Sequence, residues 1–439
     1  LTIIFDCETK SELDLKKVGA WVYSQHPSTE VICACWGMAN EEETFEWWPG
    51  CEDHSVDRLF DLVYAGELVE AHNVSFERGI WEHILTPKFR WPLPLPGQWR
   101  DTMAAACYYA LPAGLDRLLQ ATGLGKKNPD GARLITKYSK LHLMSSKDYI
   151  PDHEWVSWKD MTPTERKKVP DAKDNGGYFN EDFRAFVDYC RDDVKLERWV
   201  SNYLGDLPDR ELPFFRLHQK MNRHGLMLDQ EGIDAATYIV EQRAADLGEE
   251  FAELTGGLRP TQRDQVMKWV ASEGVELENM QAEYLEELIA GDELPSGPVR
   301  RVLEIRVAIN KASTKKLDAM TRQRGREGRA MFQTRYHGTL TGRSTGGGIQ
   351  PLNLNRGFDG MDSNQLVRDI MYRDAKWLDL LYGNATDAVA KASRYWIQAA
   401  EGNRILAGDF SSIEAIVLAC LAGEEWKVEA FTQGVKIYE

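Results

Sequence analysis

LTIIFDCE, Leu1 to Glu8, is an apolar, strand-like run that ends in two carboxylates two positions apart. Side chains alternate along a strand, so Asp6 and Glu8 share a face and can point at one metal ion. By itself D-x-E is a common accident, and it gains weight only from two further stretches of the chain. In ELVEAHNVSFERGIW (67–81) an apolar strand runs into Asn73, Phe76 and Glu77 at a helix start. Taken alone, this second stretch reads as a helix cap with an acidic first turn. A third piece, Tyr189-Cys-Arg-Asp-Asp193, lies on a strongly helical segment, where a spacing of four places Tyr189 and Asp193 on one face.

In this order and at these separations, the three pieces resemble the Exo I, II and III motifs of the DEDD 3′–5′ exonucleases, in the variant that carries tyrosine. The resemblance implies a ribonuclease H-like fold. It also implies a site where two divalent ions, Mg²⁺ or Mn²⁺, activate water and stabilise the leaving 3′ oxygen of a phosphodiester. Carboxylates suit these hard cations. On this resemblance Asp6, Glu8, Glu77 and Asp193 hold the metals, and Tyr189 orients the attacking water. Asn73 and Phe76 shape a pocket for the frayed 3′ end. Glu77 departs from the usual aspartate by one methylene.

The rest of the chain resembles the Pol I-like, family A DNA polymerases, closest to phage members. PTQRDQVMKWV and INKASTKKLDAM are similar to the helical thumb that grips duplex DNA. Thr341-Gly342-Arg343, with Gln350 and Asn353, resembles the T-G-R…Q-N segment at the primer terminus; minor-groove acceptors there can be read without sequence preference. ILAGDFSSIEAIVLACLAG (405–423) resembles the first metal-binding motif of the palm, with Asp409 expected at a strand end. The family's pattern gives Asp409 to the polymerase metals with help from the Phe410 carbonyl. It sets Glu414 under the incoming sugar and Arg394 near template or triphosphate. Relatives commonly carry arginine where Ile416 and Gly347 stand and an aromatic where Ser344 stands, departures that suggest altered nucleotide handling. The fingers lysine and second palm aspartate do not follow, so the chain reads as a polymerase cut off inside its palm.

The expected architecture is an α/β ribonuclease H-like exonuclease domain (1–205), an all-α thumb (206–329) and a partial α+β palm (330–439). A polar, proline-containing excursion is expected between about 145 and 180. Expected partners are a DNA primer–template and a single-stranded 3′ end, with deoxynucleoside triphosphate only for a complete polymerase. A second polypeptide could carry the fingers and remaining palm. A standalone DEDD exonuclease and a non-catalytic DNA-clamping subunit are the alternatives.

Composition agrees with these readings. The net charge is −16, yet between Arg300 and Arg343 twelve basic residues face only Glu304, Asp318 and Glu327. This basic run is expected to track backbone phosphates. Seven cysteines without C-x-x-C spacing argue against a disulfide framework or zinc site, and Cys33 and Cys35 read as packing residues. A reducing cytoplasm, that of a bacterial host for a phage protein, fits this usage. No apolar stretch approaches the roughly 20 residues of a membrane span.

Overall fold

The computed structural model describes residues 1–51, 55–139, 181–291, 294, 296–309, 312–355, 357–358 and 360–435. The excursion expected at 145–180 lies outside the described residues. The chain forms two compact units, Leu1–Ile397 and Gln398–Glu439.

The opening stretch becomes β1 (Thr2–Lys10), the middle strand of a five-stranded sheet. Antiparallel β2 (Glu30–Met38) and β3 (Phe45–Trp47) lie on one side. Parallel β4 (Leu68–Ala71) and β5 (Trp99–Asp101) lie on the other. Helices α1 (Leu15–Gln25), α2 (Ser55–Tyr64) and α3 (Ser75–Ile80) connect them. A π-helical turn (Trp81–Leu85) carries α3 on into α4 (Thr86–Phe89). The helical run that follows divides into α5 (Thr102–Tyr108) and α6 (Leu115–Thr122). Ala110 in a left-handed conformation, followed by Pro112, breaks it. Then come α7 (Gly131–Tyr138) and α8 (Glu181–Leu204).

Alternation along β1 sorts its side chains into two cores. Ile3, Phe5 and Cys7 join an aromatic cluster that includes Trp36, Trp81, Trp91 and Trp99. Phe5 and Trp81 are 4.7 Å apart between ring centres, and the Trp81 indole donates to the Pro92 carbonyl at 2.8 Å. On the opposite face Ile4, Cys33 and Cys35 pack against Phe186, Val187, Tyr189, Cys190 and Val194 of α8. Asp6 and Glu8 share the parity of Ile4, so this packing directs them toward α8. The two cysteines are packing residues, as their alternation suggested.

The helices expected over 206–329 include α9 (Leu212–His224), α10 (Gln230–Thr255), α11 (Arg263–Ser272), α12 (Ala282–Ala290), α13 (Pro298–Ile309) and α14 (Ala312–Gln323). Helix α10 is the spine: Ile233, Ala236 and Ile239 serve one core, Leu247 and Phe251 another. Short ladders come next. β6 (Leu226–Met227) pairs with β7 (Arg329–Ala330), and β8 (Thr334–Arg335) with β9 (Thr345–Gly346). Helices α15 (Ser363–Met371), α16 (Ala375–Tyr382) and α17 (Ala385–Ala392) close the first unit. Polar contacts tie the sheet's helices to this part. Arg223 grips Glu82 with two bonds of 2.6 and 2.7 Å, and Glu327 accepts from Gln25 at 2.7 Å and Trp21 at 3.3 Å.

Much of the basic run is structural. Arg300 donates to the carbonyls of Ile289 and Gly291, Arg301 pairs with Glu250, and Arg329 donates to those of His224 and Gly225. This corrects the expectation of a continuous phosphate-tracking surface: several of these guanidiniums satisfy backbone groups between helices. The second unit holds α18 (Ile413–Ala422) packed on α19 (Glu425–Thr432). The strand expected at 405–409 is absent. Those residues pair with no described strand, and without a ladder their backbone groups have no β partners. No helix among the described residues is long and apolar enough to cross a membrane.

Two glycines of α10 test the packing. A Cβ at Gly232 would stand 2.5 Å from the fully buried Trp396 ring, whereas one at Gly248 meets nothing within 4 Å. Gly232→Ala is expected to destabilise by about 1–3 kcal/mol. Gly248→Ala is expected to stabilise by roughly 0.5–1 kcal/mol. Urea unfolding of both variants checks the pair, and equal effects would contradict the packing described.

Candidate metal centre

The register of β1 against β2 shifts between Glu8 and Thr9, just past the two acids. Because β1, β4 and β5 run parallel, their carboxyl ends deliver side chains to one edge. Asp6 and Glu8 come from β1, Asn73 to Glu77 follow β4, and Asp101 closes β5. Helix α8 crosses the sheet and adds Asp193. Asp6, Glu8 and Asp193 each bring a carboxylate oxygen to within 4.8 Å of the others, a spacing a single cation can bridge.

The surroundings disfavour bare negative charge. Burial, reinforced by Asp193, pushes Asp6 up to about 7. Burial with Asp6 raises Glu8, and burial raises Asp193 against the pull of Lys127. Glu77 is buried and held well above the carboxylate range by desolvation, with Asp6 next. It stands outside the tight three-acid group. Among the described residues, Glu77 Oε2 and Asp193 Oδ1 are buried without hydrogen-bond partners. Clustered carboxylates with unpartnered oxygens fit an oxygen-coordinated divalent ion, which would stabilise their ionised forms.

Tyr189, one turn before Asp193, stacks against Phe186 with rings 5° from parallel. Its phenol is raised above the ordinary range by burial and by Asp193. Lys127, from the loop between α6 and α7, places Nζ 2.6 Å from Asp193 Oδ2. Asn73 is exposed, with φ of 73°, and its N–H donates to Asp101 Oδ1 at 3.0 Å. Phe76 leans on the aromatic core, 6.0 Å from Tyr23 between ring centres.

Three contributors were missed in the sequence. Glu197 is buried, with Oε2 unpartnered among the described residues, and is raised by desolvation and then by Asp6, Glu77 and Asp193. It lies one further turn along the Tyr189–Asp193 face, so helical spacing could have found it. Asp101 accepts from Met103 N–H at 2.9 Å as well as from Asn73, fixing the turn that presents Glu77. An aspartate before a helical run was its signal. Lys127 has no local signal at all.

The other predicted residues form separate groups. Asn353 Nδ2 donates to Gln350 Oε1 at 3.2 Å, and Arg394 donates to the neighbouring Leu354 carbonyl at 2.8 Å. Arg343 lies exposed on the turn between β8 and β9. Asp409, Phe410 and Glu414 are all exposed in the second unit, Glu414 in the first turn of α18. Asp409 joins no acidic cluster among the described residues.

The fold is a mixed α/β one, rich in helix, with a cluster of carboxylates at one sheet edge that could hold a cation. The whole chain is similar to a DNA polymerase of Bacillus phage SP02, at 28% identity over 449 residues. The chain thus resembles phage-type, Pol I-like DNA polymerases, as its motifs implied. It spans 64% of that relative's length. The solved polymerase domain of Pol1 from M. smegmatis, in complex with DNA primer-template and dNTP, matches at 14% identity and a TM-score of 0.44. That match covers 93% of this chain and 59% of the other. No family model matches.

The centre predicts a linkage between ion binding and stability. An acid raised on folding favours the folded state fully below its unfolded value of about 4 and loses that contribution as pH rises through the folded value. For Asp6 the loss falls between about 4 and about 7. At pH 8, Mn²⁺ at a hundred times its Kd is expected to add about 2.7 kcal/mol to unfolding. At pH 5.5 the gain should shrink as protons compete, and Asp6→Asn should remove most of it. Urea midpoints with and without Mn²⁺ measure it; a gain independent of pH and of Asp6 would contradict the assignment.

Proposed function

We propose that the chain is part of a Pol I-like DNA polymerase and carries its 3′–5′ proofreading exonuclease. The observation that carries this reading is the three-acid group on β1 and α8, with Glu77 and Tyr189 beside it, in motif order. In this reading residues 1–205 form a ribonuclease H-like exonuclease, 206–329 a thumb and 330–439 part of a palm. The substrate of the first region is the single-stranded 3′ end of a DNA primer.

Asp6, Glu8 and Asp193 would hold divalent ions, Mg²⁺ or Mn²⁺, with Glu77 reaching the same centre through its longer side chain. Bound there, the ions supply a lowered water pKa and charge neutralisation at the phosphodiester. The protein's own groups do the rest. Tyr189, fixed by stacking on Phe186, aims its hydroxyl at the attacking water. Asn73, fixed through Asp101, offers a polar side chain on the open edge to the terminal nucleotide.

For synthesis, Asp409 and the Phe410 carbonyl would serve the polymerase ions, and Glu414 would discriminate against a 2′-hydroxyl. Arg394 would contact template or triphosphate. Arg343, Gln350 and Asn353 would read the primer end through the minor groove.

The test is excision of a 3′-labelled primer–template with a terminal mismatch in Mg²⁺. The native chain is expected to shorten the primer stepwise from its 3′ end. Asp6→Ala should slow it by on the order of a hundredfold or more, since loss even of an outer-shell partner costs about 10–100-fold. Equal rates for the two proteins, or no release by either, would overturn the assignment.

A further inference from the structure

Lys127 belongs to none of the motifs, yet it sits inside the acidic centre. Its Nζ is 2.6 Å from Asp193 Oδ2 and 5.3 Å from the centre of the Tyr189 ring. Both side chains raise the ammonium above its usual range against the effect of burial. Its charge is the one that opposes the upward shifts of Asp6, Glu8, Asp193 and Glu197 together.

The loop that carries Lys127 is shaped to α8. A Cβ at Gly125 would come within 3.1 Å of Leu196 and 3.4 Å of Trp199. A Cβ at Gly131 would come within 2.3 Å of the Tyr189 ring. At Gly131 the loop therefore lies closer to α8 than a larger residue allows, at Gly125 it packs tightly on the same helix, and Lys127 between them is held over the turn from Tyr189 to Asp193. A surface lysine keeps its ammonium in water, whereas this side chain is only 29% exposed.

We propose that Lys127 is a working residue of the excision site, holding Asp193 and Tyr189 in place until a divalent ion arrives and then contacting the phosphate of the 3′-terminal nucleotide. This inference rests on the exonuclease reading above. The reasoning is one of charge. Without ions, the ammonium is the cation that the carboxylates share. A divalent ion held by Asp193 would repel it at short range. Its flexible stem lets it move, and the anion then brought to the site is the phosphodiester. A point charge on a phosphate oxygen there would stabilise the charge that builds during attack.

The test uses the full chain as Lys127→Met and Lys127→Arg, with the exposed neighbour Lys126→Met as control. Mn²⁺ binding is followed by its paramagnetic resonance signal. Single-turnover excision is followed on a 3′-labelled single strand. Lys127→Met is expected to bind Mn²⁺ about tenfold more tightly, because a competing charge is gone. It should also excise about a hundredfold more slowly at saturating Mn²⁺ and DNA. Lys127→Arg should recover part of the rate, and Lys126→Met should match the native chain. Normal excision by Lys127→Met overturns the proposal, as does loss of Mn²⁺ binding together with excision, which marks a merely structural role. A native chain that neither binds Mn²⁺ nor excises would instead defeat the exonuclease reading itself.

Discussion

Five carboxylates crowded at one edge of a sheet are the constraint around which the first part of this molecule is arranged. Asp6, Glu8, Glu77, Asp193 and Glu197 come from three separate elements, and each is raised by burial before any neighbour acts. Removing such groups from water is costly unless cations or hydrogen bonds compensate. Lys127 compensates in part. A divalent ion bound among these acids would offset the remaining deficit.

Holding those acids together demands rigidity around them, and the two cores supply it. On one side of β1, interlocked tryptophans fix the strand and the segment that bears Glu77. On the other, Ile4, Cys33 and Cys35 seat α8, so that Tyr189, Asp193 and Glu197 all face the strand's carboxylates. Glu82 with Arg223, and Glu327 with Trp21 and Gln25, then tie this body to the helical region.

Four of the sheet's five strands were legible in the sequence because they are β-rich and apolar, whereas three-residue β5 was not read. Asp6, Glu8 and Asp193 were legible because period-two and period-four spacing put carboxylates on shared faces, and the structure brings these three together. Glu77 was found by its place after a strand, although local spacing could not show that it stands apart from the tight group. Lys127 was invisible because its role depends on a loop pressed against a helix more than fifty residues downstream. The run before Asp409 was read as a strand from local apolarity alone, which a ladder partner must confirm. The basic run between Arg300 and Arg343 was over-read for a related reason: charge counts do not reveal which guanidiniums already serve carbonyls.

The most direct measurement of the central claim is an anomalous-scattering map from crystals of the chain grown with Mn²⁺. The account predicts a peak between Asp6, Glu8 and Asp193, with ligand oxygens about 2.0–2.2 Å away, near the range for small octahedral cations. It also predicts that the Lys127 ammonium has moved off Asp193. A map with no peak at these acids, with Lys127 still paired to Asp193, would contradict it.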